Sequence, residues 1–233
     1  MCIHLHVPSV RRKLKRSGQT ADQIFDRLIE SILCGEFPSG SVVREAPLAR
    51  DWKVSRTPLR EAMRRAAESG FIVLRPNQAP IIRPLTAQDL RDLYDLREVL
   101  ELHALSLAWT HIRKEQIKSL RAQATQALPS HAPDWAARCL KLDLALHGLW
   151  TQCCGNSWLV ADLERHYQFL RIFQSWIGRD PQALTKSYDE HLAILDALER
   201  EDKAEALACL RRHIQDSAHL VEEAMSRDEN QQS

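Results

Sequence analysis

One aspartate and three histidines in the C-terminal half have the types and spacing of a metal site. Asp143 and His147 are four positions apart, so a helix places them one turn apart on a shared face. His191 and His213 lie in later segments with apolar neighbours, which is consistent with imidazoles that point inward. Three imidazoles and one carboxylate suit Zn²⁺ first, and also Ni²⁺, Mn²⁺ or Fe²⁺. A histidine on an apolar helix face can equally be a hydrogen-bonded core residue, so spacing alone leaves both interpretations open.

The first turns of a predicted helix in the N-terminal half carry a polar, basic cluster. Its members are Ser55, Arg56, Thr57 and Arg60. The opposite side of that helix is apolar and can pack on the preceding helices. An arginine presented in this way can hold a guanine edge with two hydrogen bonds, which typically gives ~1–3 kcal/mol of base discrimination. The pattern indicates a helix that reads DNA, with a solvated basic surface as the alternative.

The remaining periodicity predicts a mainly α protein. In the N-terminal part we expect three helices and a short two-stranded wing, at residues 20–35, 46–52, 55–69, 71–75 and 81–83. In the rest we expect six helices, near residues 86–110, 117–128, 135–153, 156–177, 181–200 and 202–226. The fold class is therefore an N-terminal winged helix-turn-helix followed by an all-α antiparallel bundle of about six helices.

The charge distribution agrees with a division near residue 85. Residues 1–85 contain 15 Lys or Arg against 8 Asp or Glu, whereas residues 86–233 contain 17 against 23. A basic first half is typical of a protein that meets a polyanion. The predicted segments are a flexible basic arm, the DNA-binding domain, the helical domain and a polar tail, at residues 1–18, 19–85, 86–226 and 227–233.

Composition excludes several classes of protein. No apolar run has the length of a membrane span, and the basic residues near the N-terminus follow the apolar stretch, which is the wrong order for a secretory signal. The six cysteines lack zinc-ribbon spacing, so we expect reduced thiols and a cytoplasmic protein. No HExxH motif, Ser-His-Asp order or phosphate-binding glycine loop is present. A metalloenzyme fused to a DNA-binding head is therefore the less favoured alternative.

The N-terminal half closely resembles the GntR family of bacterial regulators. The residues that carry the resemblance are Phe37-Pro38-Ser39-Gly40, Leu48-Ala49, the run from Val54 to Ala62, and Glu68-Ser69-Gly70-Phe71. The resemblance implies that the basic cluster at Ser55, Arg56, Thr57 and Arg60 contacts DNA, and that a homodimer binds a two-fold symmetric operator. Two positions depart from the family. The wing tip has Gln78-Ala79-Pro80 in place of a basic residue and a glycine, and Lys53 replaces a common glycine, which is tolerable if its φ is negative.

Residues 86–233 resemble the helical FCD domain of the FadR-type branch of this family. The resemblance implies that Asp143, His147, His191 and His213 bind a divalent metal, within sequence similar to Asp189-Glu190-His191 and His213-Ile214. It also implies a small organic acid as effector, with Arg97 and, less strongly, Arg171 as candidate partners for its carboxylate. Either arginine can instead form an ordinary ion pair. The expected function is a repressor whose operator affinity depends on this acid; a regulator that senses the metal alone is the alternative.

Overall fold

The structure is a computed structural model that describes residues 19–33, 36–76, 78–84, 86–129, 132, 134–177 and 180–232. Side chains at residues 33, 171–177 and 227–232 are outside the description, as is the predicted basic arm at residues 1–18. The chain divides into two compact units, Met1–Leu85 and Thr86–Ser233. Among the described residues, no helix combines the length and apolar character needed to cross a bilayer.

The described residues of the N-terminal unit form three helices and two short strands. They are α1 (Ala21–Leu33), α2 (Glu45–Trp52), α3 (Arg56–Glu68), β1 (Ile72–Val73) and β2 (Ile81–Ile82). The strands pair antiparallel, with Ile72 opposite Ile82. The apolar face of α3 packs on α1, and Leu59 and Met63 are almost completely buried between them. The predicted winged helix-turn-helix is confirmed, with strands shorter than the sequence predicted.

The turn from α2 to α3 holds its residue in a strained conformation. Lys53 has a φ of 56°, in the left-handed region, and its N–H donates to the carbonyl groups of Ala49 and Arg50. A lysine was expected to be tolerable at this position if its φ is negative, and the observed φ is positive. A side chain with a Cβ costs ~1–2 kcal/mol in this region, which is why glycine is favoured there.

The C-terminal unit contains six helices in its described residues. They are α4 (Ala87–Ala108), α5 (Lys114–Gln126), α6 (Trp135–Cys153), α7 (Ser157–Ile177), α8 (Pro181–Glu199) and α9 (Lys203–Gln232). Several begin at side-chain caps. The hydroxyl of Thr86 accepts from the N–H of Asp89, and the side chain of Asn156 accepts from the N–H of Leu159. These caps fix where the site-bearing helices start.

Helix α4 lies at the centre of the bundle and packs against α6, α7 and α9. Its inward face buries Tyr94, Arg97, Glu101 and Leu105. Helix α9 extends past the predicted end near residue 226, and residues 227–232 of the predicted polar tail continue it. No glycine or proline interrupts this stretch, so the backbone hydrogen-bond pattern of the preceding turns continues.

Candidate metal centre and DNA-binding surface

The four residues with metal-ligand spacing converge in the C-terminal unit. One ligand atom from each of Asp143, His147, His191 and His213 lies within 4.8 Å of those of the other three. Asp143 and His147 come from α6, His191 from α8 and His213 from α9. All three imidazoles are buried, and the aspartate side chain is 15% exposed. The cluster joins three helices that are far apart in sequence.

The separations within the cluster fit a single cation. The Nε2 atoms of His191 and His213 are 3.2 Å apart, and Asp143 Oδ1 lies 3.4 Å from His191 Nε2 and 3.7 Å from His147 Nε2. Metal–nitrogen bonds of about 2.0–2.1 Å in a tetrahedral site place neighbouring donors about 3.3 Å apart. A neutral imidazole and a carboxylate are also the protonation states that bind metals. The donor set and its spacing therefore fit a divalent transition metal.

Two glutamates orient the histidines from outside the cluster. Glu101 Oε2 lies 2.5 Å from Nδ1 of His147, and Glu190 Oε2 lies 2.8 Å from Nδ1 of His213. A ring that donates its Nδ1–H to a carboxylate keeps the Nε2 lone pair for a metal. Neither glutamate was singled out from the sequence.

Glu101 is completely buried and collects three donors. Besides His147, it accepts from Nε of Arg97 at 2.6 Å and from the indole N–H of Trp150 at 3.1 Å. Burial acts to raise the pKa of Glu101, but the charges of His147 and Arg97 outweigh it and lower that pKa to about 2. The carboxylate is therefore ionised, and it neutralises the buried guanidinium.

Burial and nearby charges also shift the pKa values of the other titratable groups at the site. Burial tends to raise the pKa of Asp143, but its hydrogen bond to His191 and the nearby positive charges bring it well below its usual value. Burial lowers the pKa of His191 and, more strongly, that of His213, so both rings are neutral at pH 7. Burial and the charge of Asp216 raise the pKa of Glu190 to about 8, so this group holds a proton at pH 7 in the metal-free chain and orients His213 as a carboxylate only once it is ionised.

A small cavity adjoins the cluster. It has a volume of about 130 Å³ and is lined by Arg97, Asp143 and His147 together with Thr151 and Tyr167. The hydroxyl groups of the last two lie 3.4 Å apart. The nearer terminal nitrogen of Arg97 is 3.2 Å from His147 Nε2. A molecule in the cavity therefore meets a guanidinium, two hydroxyls, the carboxylate of Glu164 and the open side of the cluster.

Of the two arginines predicted to bind the effector, the structure describes one side chain. Arg97 is buried and lines the cavity, while its Nε atom forms the ion pair with Glu101. Arg97 thus forms an ion pair, which was the alternative interpretation, and one of its terminal nitrogens also lies next to the cluster. Arg171 belongs to α7, but its side chain lies outside the described residues.

The predicted DNA-binding residues form one exposed surface at the start of α3. Ser55 is its N-cap and makes no side-chain capping hydrogen bond, and Arg56, Thr57 and Arg60 are all exposed. The N-terminus of a helix carries partial positive charge and favours phosphate. The surface therefore combines two guanidinium groups with a helix end, as DNA recognition in a groove requires.

A glutamate that the sequence analysis missed holds both arginines. Glu45, the first residue of α2, accepts from Arg60 at 2.9 Å and lies 3.6 Å from a terminal nitrogen of Arg56. The hydrogen bond from Arg60 is the main cause that lowers the pKa of Glu45. Farther along α3, Arg64 is paired with Glu61 and Glu68 instead. Arg56 and Arg60 near the start of α3 thus pair with a residue of another helix, whereas Arg64 pairs within α3 itself.

The fold and its basic surface define a DNA-binding protein of the winged helix-turn-helix class. Comparison with known protein families gives two matches: bacterial regulatory proteins of the gntR family at residues 20–81, and the FCD domain at residues 92–216. The chain belongs to the GntR family of transcription regulators and carries an FCD C-terminal domain.

Similar proteins support this assignment. The Nta operon transcriptional regulator of Aminobacter aminovorans is 34% identical over 179 residues, covering 77% of this chain and 83% of the relative. The transcriptional repressor RspR of Escherichia coli is 24% identical over 216 residues, covering 91% and 93%. The structure of E. coli McbR/YncC shares the fold, with a TM-score of 0.70, 18% identity and coverage of 88% and 98%. The two sequence relatives are described as transcription regulators.

Proposed function

We propose that the protein is a homodimeric repressor that works in the cytoplasm and releases its operator when a small carboxylate binds a metal ion in the C-terminal unit. The observation that carries the proposal is the buried cluster of one carboxylate and three imidazoles beside a cavity that contains a guanidinium. Asp143, His147, His191 and His213 are the proposed ligands. Zn²⁺ is the first candidate, and Ni²⁺, Mn²⁺ and Fe²⁺ suit the same donors.

The charges beside the cavity favour an anion as effector. Arg97 is neutralised by Glu101, and Asp143 offsets one of the two charges of a divalent cation. One positive charge then remains at the open side of the cluster, next to a terminal nitrogen of Arg97, whereas the carboxylate of Glu164 in the same lining is exposed to water and offsets it only weakly. A carboxylate that binds the metal would neutralise this charge and accept a hydrogen bond from the guanidinium.

The volume of the cavity favours a short acid. About 130 Å³ corresponds to roughly four water molecules at about 30 Å³ each. A two- or three-carbon acid is close to this size, whereas a six-carbon sugar acid requires the walls to move. The hydroxyls of Thr151 and Tyr167 can bind a hydroxyl or oxo group beside the carboxylate. We therefore propose a short hydroxy or oxo acid as the effector.

The proposed DNA contact uses the exposed start of α3. Arg56 and Arg60 would reach base edges in the major groove, and the hydroxyls of Ser55 and Thr57 would hold the backbone. The tip sequence Gln78-Ala79-Pro80 offers no positive charge, so the wing would contribute little. In a homodimer, the two DNA-binding domains would each contact one half of a two-fold symmetric operator.

The test of the DNA contact uses an operator selected from a random DNA library with the full-length protein. Arg56→Ala should weaken operator binding by ~1–3 kcal/mol and relax the preference at one base pair, because a base contact is lost. Arg64→Ala is the matched control, since Arg64 has a similar exposure but lies two turns farther along the same helix, away from its N-terminus, where it pairs with Glu61 and Glu68. Equal operator affinity of wild type and Arg56→Ala, measured by fluorescence anisotropy, would exclude α3 as the helix that recognises the operator sequence.

The test of the sensing site begins with metal content. Protein purified without chelator should carry about one metal ion per chain, and the double variant His147→Ala, His191→Ala should lose it. Operator affinity is then measured for apo protein, zinc-loaded protein, and zinc-loaded protein with glycolate, lactate or gluconate. Release by glycolate or lactate supports the proposal. Full response to zinc alone supports the metal-sensing alternative, and stoichiometric metal in the double variant rejects the ligand set.

A further inference from the structure

Tyr94 carries a hydroxyl group that is buried without a hydrogen-bond partner. The residue lies on the inward face of α4 and is only 3% exposed. Its Oη atom makes no hydrogen bond with any residue that the structure describes. A buried hydroxyl of this kind lowers stability, because it gives up its hydrogen bonds to water and gains none in return. The hydroxyl therefore points to a partner that is not part of the chain.

A second buried tyrosine of the same unit shows the usual arrangement. Tyr188 is also 3% exposed, and its hydroxyl donates to the carbonyl oxygen of Ala124 at 3.0 Å. The two tyrosines are equally buried, but only Tyr188 has an acceptor for its hydroxyl proton. Tyr188 is therefore a suitable reference against which to measure the role of Tyr94.

The side chain of Tyr94 lies among the charged groups of the metal centre. Tyr94 precedes Arg97 by about one turn of α4, and the guanidinium carbon of Arg97 is 5.5 Å from the centre of the Tyr94 ring. Burial has the largest effect on the pKa of the hydroxyl, and the charges of Arg97, Asp143 and Glu101 act on it as well. The lining of the cavity contains Arg97 and Asp143 but not Tyr94. The part of a bound molecule that reaches the hydroxyl is therefore the part held at the cluster.

The charged groups near Tyr94 do not supply the missing partner. The guanidinium of Arg97 only donates hydrogen bonds, so it cannot accept the proton of the hydroxyl. The carboxylate of Glu101 already accepts from three donors, and Asp143 makes no hydrogen bond with Tyr94. Burial raises the pKa of Tyr94 to about 12, so the hydroxyl keeps its proton at neutral pH. The missing partner is thus an acceptor.

We infer that Tyr94 is an anion-binding residue whose hydroxyl donates to a carboxylate oxygen of the acid at the metal centre. A carboxylate has two oxygens, so one can bind the metal while the other accepts from Tyr94 and from the terminal nitrogen of Arg97. An amide or an amine at the same place would turn an N–H group toward two donors, so the pair selects a group that only accepts. The inference rests on the proposed function, from which it takes the acid and the metal.

Removal of this hydroxyl should have opposite effects on metal-free and on acid-bound protein. In Tyr94→Phe the ring stays and only the oxygen atom is lost. Metal-free protein should become more stable, because an unpaired polar atom leaves the interior. Zinc-loaded protein should bind the acid less tightly, because the carboxylate loses a buried hydrogen bond. A tyrosine that only fills space predicts neither change.

The first measurement is urea unfolding of the full-length protein in the presence of a chelator, followed by tryptophan fluorescence. Tyr94→Phe should unfold at a higher urea concentration than the wild type. Tyr188→Phe is the matched control and should unfold at a lower concentration, since the carbonyl of Ala124 loses its donor. A midpoint for Tyr94→Phe at or below that of the wild type would show that the hydroxyl already has a partner, such as a buried water molecule, and would overturn the inference.

The second measurement is calorimetric titration of zinc-loaded protein with glycolate and with lactate. Tyr94→Phe should raise the dissociation constant of the acid about 10- to 100-fold, the range expected for one hydrogen bond to a charged group. Its zinc content should equal that of the wild type. Tyr188→Phe should bind both zinc and acid as the wild type does.

The outcomes separate this inference from the proposed function. If the wild type binds zinc and one of the acids, and Tyr94→Phe binds that acid equally well, the role of Tyr94 is overturned and the proposed function stands. Loss of zinc from Tyr94→Phe would show that the hydroxyl acts on the metal and would overturn that role as well. A wild type that binds zinc but neither acid overturns both the role of Tyr94 and the proposed acid. A higher urea midpoint together with weaker acid binding, both confined to Tyr94→Phe, supports the inference.

Discussion

Replacing Glu101 by glutamine is expected to destabilise the C-terminal unit even when no metal is present. The carboxylate accepts from Arg97, His147 and Trp150, and it is completely buried. An amide of the same shape has one oxygen, so its NH₂ group must face one of these donors. The buried guanidinium also loses its counter-charge.

The magnitude follows from the burial of the pair. Removing one partner of a buried ion pair typically costs ~3–5 kcal/mol, since the remaining charge stays out of water. Glu98 provides the matched control on the same helix. Its pair with Arg211 is at the surface, with the glutamate side chain 25% exposed, so Glu98→Gln should cost at most ~1 kcal/mol.

The assay is urea unfolding in the presence of a chelator, followed by tryptophan fluorescence. Five of the six tryptophans lie in residues 86–233, so the signal reports mainly on the C-terminal unit. The double variant Arg97→Met, Glu101→Leu should regain part of the lost free energy of unfolding, because neither charge remains buried, although His147 and Trp150 still lack their acceptor. If Glu101→Gln cost no more than Glu98→Gln, the account of the buried pair would be refuted.

Metal affinity gives a second readout of the same substitution. The carboxylate holds Nδ1 of His147, and loss of such an outer partner typically lowers metal affinity ~10–100-fold. Competition with a chromophoric chelator measures the change directly. Wild-type affinity in Glu101→Gln would show that the ring is oriented by its packing and not by Glu101.

Three further substitutions test other parts of the structure. Lys53→Gly should raise the free energy of unfolding of the N-terminal unit by ~1 kcal/mol by relieving its positive φ; no gain in urea unfolding would contradict this. Glu45→Gln should raise affinity for non-specific DNA, because the phosphates no longer meet a repelling carboxylate. It should also reduce the specificity ratio, because Arg60 loses its positioning partner; anisotropy on selected and random DNA measures both. Burial lowers the pKa of His166 to about 4, so as pH falls from 6.5 to 4 the unfolded chain binds a proton before the folded chain does. The free energy of unfolding should therefore fall by up to ~3 kcal/mol in that pH window. In chelator-treated protein, His166→Leu should remove this pH dependence, whereas His111→Gln, at an exposed site, should not.

Much of the fold follows from local sequence because its helices are delimited by their own caps. The Thr86 capping box and the side chain of Asn156 begin helices where the sequence predicted them. The conformation of Lys53 could not be predicted in the same way. Its φ is imposed by the two helices that it joins, and a lysine carries no local signal for a left-handed turn.

The four candidate metal ligands were assigned from the resemblance to the FCD domain, since spacing alone left both interpretations open, and their outer partners carried no such signal. Glu101 and His147 are 46 positions apart and meet only once α4 packs on α6. The four-residue spacing from Arg97 to Glu101 was a usable signal for an ion pair, although nothing local indicated its burial. Glu190 directly precedes a ligand, yet its carboxylate reaches the histidine of another helix.

Helix α4 connects the proposed effector site to the start of the C-terminal unit. Its inward face holds Arg97 and Glu101 beside the proposed ligands, and the chain enters this helix directly after the N-terminal unit ends at Leu85. We propose that an acid that draws Arg97 toward the metal shifts this helix and so changes operator affinity. Because coupling between two sites is reciprocal, the operator should change the affinity of the zinc-loaded protein for its acid by the same factor. Calorimetric titration with that acid, with and without operator, measures this coupling. Identical acid affinities in the two titrations would show that the two sites act independently.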